Sequence, residues 1–370
     1  MTTLKTFLHR LIRNPGENLP SRILLAPLTF LSFLYGLAVR LRVFFYRKGI
    51  YRSRSLPCRV VSVGNLTLGG TGKTPFVILL AEMIRRRGYR AAVLSRGYRG
   101  KYEGPCALVS DGDRILMDPL QAGDEPCLLA RKLKGVPIIV GRERWVAGRF
   151  AIDRFRTEVL ILDDGYQHLA LNRDLNFLLL DSFSPFGNGR LFPRGELREP
   201  LSQVHRADAL VLTKGGADDM IIKLGKRFMN LSEGRPVFRV RYEPEEIIVW
   251  GQERVLSPLD LKKKSILAFS GLARPESFEK TLRGLEAEIV GFETFPDHYA
   301  YEGKDLERLR ERALRAGAEA MVTTEKDMVR IQDFPPGTIP LWALSVRHVF
   351  PEEDLTRLET FLFERLGQNA

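Results

Sequence analysis

The chain has 370 residues, of which 44% are hydrophobic, and this is enough for two domains with hydrophobic cores. Its net charge is +12, but the first 60 residues contain eleven lysines and arginines against one acidic residue, so the remainder is nearly balanced. Its three cysteines, Cys58, Cys106 and Cys127, form no C-x-x-C pair, which argues against a disulfide-stabilised secreted domain and favours a reduced intracellular protein.

The basic N-terminal segment encloses an apolar run of 17 residues, 23–39. Such a run has the minimum length for crossing a bilayer, and an anionic membrane surface attracts basic residues beside an apolar helix. We therefore predict that residues 1–59 are membrane-associated. A cleaved signal peptide is the main alternative, but arginines follow Val39 where a small-residue cleavage site would lie. A buried helix is the other alternative, and the apolar run argues against a nucleic-acid partner. The sequence leaves open whether the helix spans the membrane or lies in the interface.

Strand and helix patterns alternate beyond residue 60, which predicts an α/β fold with a mostly parallel sheet. A change of composition near residue 236 predicts a strand connector, after which the alternation restarts. The predicted domains are a core at 60–235, a β-strand connector at 236–254 and a smaller C-terminal α/β domain at 255–370. Predicted strands in the core cover 60–63, 91–95, 137–140, 159–162, 176–180 and 209–212, and predicted helices cover 75–88, 124–134 and 142–155.

A glycine-rich turn joins the first of these strands to the first helix. It reads Thr67-Leu68-Gly69-Gly70-Thr71-Gly72-Lys73-Thr74 and differs from G-x-x-x-x-G-K-[ST] only at Thr67. Backbone N–H groups of such a turn, together with the helix dipole, bind phosphates. Lysine at position 73 then reaches the β and γ phosphates, and the hydroxyl of the next residue ligates Mg²⁺. The turn therefore predicts a P-loop that binds ATP with Mg²⁺.

Two acids, Asp163 and Asp164, end the apolar strand at 159–162. In a P-loop protein an acid at this place reaches Mg²⁺ or its water shell. We predict that Asp163 joins Thr74 in the metal site. Thr213-Lys214-Gly215-Gly216 follows another strand and lacks the acid of the guanine-specific Asn-Lys-x-Asp motif, which favours ATP over GTP.

Asp124 and Glu125 lie at a predicted helix start. Two interpretations of this pair are equally supported by the residues alone: Asp124 caps the helix, or it accepts the proton of an acceptor hydroxyl with Glu125 near the metal. His298 lies between Asp297 and Tyr299 in a strand–helix loop and is a candidate partner for a carboxylate base.

Several arginines are candidate contacts for a phosphorylated substrate. The irregular stretch 183–200 is either a solvated loop or a substrate-facing flap, and the same two interpretations stay open near residue 144. The candidate substrate-binding residues are Asp164, Arg96, Arg144, Arg190, Arg194 and Arg198.

Taken together, these motifs resemble the tetraacyldisaccharide 4'-kinases of lipid A biosynthesis. The resemblance covers nearly the whole chain and includes Thr67 in place of a P-loop glycine. Besides the P-loop, it runs through Ser95-Arg96-Gly97-Tyr98, Gly123-Asp124-Glu125-Pro126, Asp163-Asp164-Gly165-Tyr166-Gln167-His168, residues 191–200, Phe295-Pro296-Asp297-His298-Tyr299 and Thr323-Thr324-Glu325-Lys326-Asp327.

This resemblance implies transfer of the ATP γ-phosphoryl group to the 4'-hydroxyl of tetraacyldisaccharide 1-phosphate. It implies Asp124 as base, assisted by His298, and an enzyme on the cytoplasmic face of the inner membrane. The expected partners are ATP, the anionic acylated disaccharide and the membrane surface, with no nucleic acid. We expect closure of the second domain onto the first to bring His298 to the site. The competing hypothesis is a membrane-bound P-loop ATPase switch that acts on a protein partner.

Overall fold

The computed structural model describes residues 23–213, 230, 232, 234–252, 254–272, 274–334, 337 and 339–367. The first part of the predicted membrane segment and residues 214–216 therefore lie outside the described residues. Helices α1–α9 comprise Ala26–Arg47, Lys73–Arg86, Pro119–Ala122, Asp124–Lys132, Arg144–Phe155, Pro275–Gly284, Gly303–Arg315, Glu325–Met328 and Glu352–Gly367. Strands β1–β14 comprise Arg59–Asn65, Ala91–Ser95, Cys106–Ser110, Ile138–Gly141, Val159–Asp163, Leu175–Asp181, Ala209–Thr213, Val237–Arg239, Arg241–Val249, Val255–Leu256, Ser265–Ser270, Glu288–Thr294, Ala320–Thr324 and Leu341–Val349.

The chain divides into two compact units that are discontinuous in sequence. The first unit consists of Met1–Arg96, Glu143–Arg241 and Phe350–Ala370, and the second consists of Gly97–Arg142 and Tyr242–Val349. The predicted domains are continuous by contrast, and their boundaries stay a prediction.

The first unit contains a parallel sheet with consecutive strands β2-β5-β1-β6-β7-β8. Its strands are buried along almost their whole length, as expected of a parallel sheet covered on both faces. Register pairs Val63 of β1 with Asp163 of β5, so the P-loop and the acid pair follow neighbouring strands at one edge. Ligands bind at this carboxyl edge in open α/β sheets.

The second unit contains the antiparallel pair β3–β4 and a six-stranded sheet of order β10-β9-β14-β13-β11-β12. Side chains of β11 alternate between the two faces of that sheet. Leu267 and Phe269 join the cluster that includes Leu309 of α7, while Ile266 and Ala268 join the opposite cluster with α6. Strand β3 was absent from the sequence-based prediction because it is a short antiparallel edge with only two buried residues.

Candidate active site

The P-loop leads directly into helix α2, and its last two residues, Lys73 and Thr74, are the first residues of the helix. Gly72 is the N-cap, with φ of 83°, a left-handed conformation that glycine adopts without steric cost. Asn65 donates from Nδ2 to the carbonyl of Thr67 at 2.8 Å, and the Thr213 hydroxyl donates to the carbonyl of Thr71 at 3.0 Å. The loop is therefore held by hydrogen bonds from two strands, β1 and β7, and the helix N-terminus that follows it is suited to bind phosphate.

Lys73, Asp164 and Arg198 form a charged cluster beside this loop. The Lys73 ammonium lies 3.4 Å from Asp164 Oδ1, and Arg198 Nη1 donates to both oxygens of Asp164 at 3.0 and 2.7 Å. Burial alone would raise the pKa of Asp164, but the two cations hold it well below its usual range. Asp164 also has a positive φ of 52°, an uncommon conformation that turns its carboxylate toward the cluster. The carboxylate consequently stays ionised at neutral pH.

Asp163 ends strand β5 and is 1% exposed. Its Oδ2 accepts a hydrogen bond from Ser95 at 3.1 Å. A buried carboxylate together with the hydroxyl of Thr74 is the hard oxygen donor set that Mg²⁺ prefers, so these residues fit the metal that accompanies ATP.

The arginine-rich stretch at 190–198 pairs with the chain at the start of the P-loop. Leu68 N donates to the carbonyl of Glu196, and Arg198 N donates to that of Leu66, both at 2.7 Å. This backbone ladder fixes Arg198 beside Asp164. Arg190 is exposed, whereas Arg194 is only 1% exposed.

Helix α1 packs against the same stretch through its small and polar side. The Ser32 hydroxyl donates to the carbonyl of Leu191 at 2.5 Å, and Tyr35 donates to that of Arg198 at 2.7 Å. The helix is long and apolar enough to cross a membrane by length and composition, with 11% of its most apolar window buried. Its exposed large hydrophobic side chains are Phe30, Leu31, Phe33, Leu34, Leu37, Leu41 and Phe44.

The loop after the acid pair lies among arginines. Burial together with the guanidinium groups of Arg144, Arg173, Arg42 and Arg96 lowers the pKa of His168 to about 4. His168 is therefore neutral at physiological pH. The side chain of Arg144 is 2% exposed, whereas Arg96 is exposed at the end of strand β2.

Asp124 and His298, which are 174 residues apart, meet inside the second unit. His298 Nδ1 lies 3.0 Å from Asp124 Oδ2. The N-cap of helix α4 is Gly123, so Asp124 occupies the first turn and its side chain is directed to His298 rather than to capping. Gly123 has a φ of 92°, and a β-carbon there would lie 2.7 Å from a backbone oxygen of Tyr98.

Since both members of this pair belong to the same unit, the expectation that domain closure delivers His298 does not hold. His298 itself has a φ of 59°, a strained conformation for a residue other than glycine. Arg99 Nη1 donates to its carbonyl at 2.8 Å, and the Tyr98 ring packs edge-on 5.8 Å from the imidazole. The segment Gly97–Arg142 thus supplies three contacts to His298.

Two further ion pairs join helix α4 to helix α8 within this unit. Glu125 accepts from Lys326 at 3.2 Å at the start of α4, and Lys132 lies 3.3 Å from Glu325 at its end. The orientation of α4, and with it that of Asp124, is therefore fixed at both ends.

Arg330 is a site residue that the sequence did not predict. Its Nε donates to Asp124 Oδ2 at 2.6 Å, and its side chain is 4% exposed. Burial raises the pKa of Asp124, but the hydrogen bond from His298 and the charge of Arg330 outweigh this and lower it. The sequence contains only a weak indication of this role. Arg330 follows Asp327 of the Thr324-Glu325-Lys326-Asp327 motif by three residues, about one helical turn, so the two side chains can pair.

Comparison with known proteins assigns the chain to a family. The profile of the family described as Tetraacyldisaccharide-1-P 4'-kinase matches residues 22–366. The chain belongs to this family. A tetraacyldisaccharide 4'-kinase of Syntrophus aciditrophicus is 43% identical over 94% of this chain and 96% of its own length. One of Desulfatibacillum aliphaticivorans is 40% identical over 99% of both chains.

A solved structure is also similar. The crystal structure of LpxK from Aquifex aeolicus in complex with ATP is 33% identical, covers 93% of this chain and 99% of its own, and has a TM-score of 0.71. The predicted α/β fold with a P-loop core and mostly parallel sheet is confirmed, as is the predicted resemblance. This member of the 4'-kinase family is an ATP-dependent kinase of lipid A biosynthesis.

Proposed function

We propose that the chain transfers the γ-phosphoryl group of ATP to the 4'-hydroxyl of tetraacyldisaccharide 1-phosphate. The observation that carries this proposal is the 3.0 Å pair of Asp124 and His298 in a chain that also has a P-loop. A nucleotide switch needs the phosphate cradle but has no use for a proton acceptor held by a histidine. A kinase that acts on a hydroxyl needs both.

In the proposed reaction the P-loop, residues 67–74, binds the triphosphate, and Lys73 contacts the β and γ phosphates. Thr74 and Asp163 would hold Mg²⁺, and the ion would neutralise charge on the phosphates. Glu125 stays a third candidate for this metal, although its carboxylate is already paired with Lys326.

The chemical step is proton acceptance coupled to phosphoryl transfer. The 4'-oxygen forms a bond to the γ-phosphorus, and the bond from that phosphorus to the β–γ bridging oxygen breaks. Its electron pair leaves with ADP. The hydroxyl proton passes to Asp124, and His298 orients this carboxylate through the hydrogen bond between them.

Anionic groups of the lipid are proposed to contact arginines in the first unit. Arg96 and Arg144 lie near the loop after Asp164, since both lower the pKa of His168. The packing of Arg198 on Asp164 supports a second role for that arginine, which is to keep Lys73 and Asp164 in place. Contact of Arg190 and of the buried Arg194 with anionic groups of the lipid stays a prediction.

The N-terminal helix is proposed to lie in the interface of the inner membrane, on its cytoplasmic face. One side of α1 is attached to the soluble unit at Ser32 and Tyr35, while its opposite side exposes leucines and phenylalanines. A spanning helix would lose those contacts with the loop at 190–198. Interfacial binding retains them and buries the apolar side among acyl chains.

Co-sedimentation with anionic lipid vesicles tests this location. Phe33→Ser with Leu37→Ser removes two exposed apolar side chains, which are 65% and 45% exposed, and should lower the partition coefficient by at least about tenfold. Leu314→Ser, at a residue that is 50% exposed on helix α7, is the matched control and should not change it. Equal partition of both variants would contradict the proposal.

The activity is tested by incubating the protein with ATP, Mg²⁺ and tetraacyldisaccharide 1-phosphate in detergent micelles. A new phosphate at the 4' position, lost in Lys73→Ala and in Asp124→Ala, is the expected result. ATP hydrolysis that a protein partner stimulates, without any phosphorylated lipid, would instead support the switch hypothesis.

A further inference from the structure

Arg330 contacts both members of the catalytic pair. Its Nε lies 2.6 Å from Asp124 Oδ2, and its Nη2 lies 3.3 Å from His298 Nδ1. The guanidinium is therefore placed against the same carboxylate oxygen that His298 contacts at 3.0 Å. A planar guanidinium presents its donors in a fixed fork, so this arrangement sets the direction of the carboxylate as well as its charge.

A second layer holds Arg330 in turn. Arg330 Nη1 donates to Asp327 Oδ1 at 3.0 Å, and Asp327 is fully buried. The same carboxylate accepts from the Tyr301 hydroxyl at 3.1 Å, the Gly271 N–H at 3.1 Å and the Thr324 hydroxyl at 2.6 Å. A buried carboxylate that accepts this many hydrogen bonds has a defined position. Its hydrogen bond with Arg330 therefore fixes the position of the guanidinium.

The network also selects the tautomer of His298. A guanidinium only donates hydrogen bonds and a carboxylate only accepts them. Asp124 Oδ2 can only accept, so its 3.0 Å contact with Nδ1 is a hydrogen bond when Nδ1 carries the hydrogen; the 3.3 Å approach of Arg330 Nη2 to Nδ1 is then not a hydrogen bond. Nε2 is then left with a lone pair on the far side of the ring.

We infer that Arg330 is a positioning residue for phosphoryl transfer: anchored by Asp327, it aims the Asp124 carboxylate and thereby fixes the ring of His298 as its Nδ1–H tautomer. This inference rests on the proposed function of the Asp124–His298 pair. Arg330 acts through these two residues, without contact to the reacting atoms, so its loss slows the chemical step and leaves nucleotide binding intact.

The kinetic test compares Arg330→Met and Arg330→Lys in the lipid phosphorylation assay. Arg330→Met should lower kcat about 100-fold, the effect of a misaligned catalytic group, with the KM for ATP within about threefold of wild type. Arg330→Lys keeps the charge without the fork and should recover part of the loss. Arg315→Met, on helix α7 where the side chain is 77% exposed and paired with Glu311 in a helical i,i+4 contact, is the control and should match wild type.

The spectroscopic test needs no substrate and so separates this inference from the proposed function. Nitrogen-15 NMR of histidine-labelled protein reports the tautomer of each of the five histidines, and His298→Asn assigns the signal. Wild type should show His298 protonated at Nδ1, and Arg330→Met should shift this signal. Thermal unfolding monitors folding; if Arg330→Met does not fold, Arg330→Lys carries both tests.

A lower kcat together with an altered His298 signal in a folded variant supports the inference. An unchanged kcat, or an unchanged His298 signal, in the folded variants would overturn it. If wild type produced no phosphorylated lipid, the proposed function would fail, and the NMR comparison would still decide whether Arg330 sets the tautomer of His298.

Discussion

The P-loop and the proposed proton-accepting pair are built in different ways. In the first unit, the P-loop is one continuous stretch of eight residues, and its partner Asp163 ends the adjacent parallel strand. In the second unit, Asp124, His298 and Arg330 come from separate segments, and 174 residues divide the first two. One site is a local backbone structure with side chains attached, whereas the other consists only of side chains from remote segments.

This difference has a mechanical consequence. The phosphate cradle depends on glycine conformations and a helix N-terminus, which tolerate change in the surrounding side chains. The pair depends on an ordered chain of contacts, from Asp327 through Arg330 to Asp124 and His298. Its geometry is therefore more sensitive to substitutions that do not touch the substrate.

The largest effect is expected at the pair itself. Asp124→Asn should lower kcat for lipid phosphorylation about 1,000-fold, because the amide cannot accept the proton, while ATP binding is retained. Single-turnover phosphoryl transfer and ATP titration measure the two properties. Asp113→Asn, an exposed loop residue of the same unit, is the control. Unaltered single-turnover transfer in Asp124→Asn would remove the claim that this residue is the base.

Lys73→Met tests the other side of the comparison. Loss of the ammonium from the phosphate cradle should lower kcat about 100-fold and should also weaken ATP binding, unlike the loss of Asp124. Arg86→Met, at the opposite end of the same helix and 73% exposed, should leave both unchanged. If both catalytic variants showed the same kinetic signature, the division of labour between the two sites would be wrong.

A smaller effect is expected for Arg198→Met, which leaves Asp164 with Lys73 as its main cation. Both side chains of this ion pair are partly exposed, so solvent screening limits the cost to about 1 kcal/mol, or about fivefold in kcat. Arg198→Lys keeps the positive charge beside Asp164. If it restores most of the activity, the role of Arg198 as a cation that holds Asp164 is supported. A loss as large as that of Lys73→Met would instead indicate direct contact of Arg198 with substrate.

The last prediction concerns stability rather than activity, through its pH dependence. The pKa of His168 is lowered to about 4 in the folded protein, so below pH ~6.5 the unfolded chain binds a proton that the folded chain does not. The free energy of unfolding should therefore fall as the pH drops from ~6.5 to ~4, by at most about 1.4 kcal/mol per pH unit from this group. His168→Gln should flatten that slope in urea denaturation, and an unchanged slope would rule out this contribution.

Sequence reasoning was most successful where chemistry and backbone lie in one stretch. The P-loop and the acid pair of β5 were readable because strand, turn and helix signals flank them directly. The partnership of Asp124 and His298 came from family resemblance, since the residues alone left capping and catalysis equally supported. Arg330 was missed because an arginine one helical turn after Asp327 is only a weak local signal, and its role follows from its contacts with Asp124 and His298 in the folded chain.

The sequence by itself determined the alternation of strands and helices, the phosphate cradle, the basic apolar N-terminus and the membership in a kinase family, since each depends on neighbouring residues or on ordered motifs. Only the tertiary structure decided that Gly97–Arg142 belongs with Tyr242–Val349. It also decided that one side of α1 is held by the loop at 190–198. The physical reason is the same in both cases: contacts between distant segments follow from packing of buried surfaces, which no local pattern specifies.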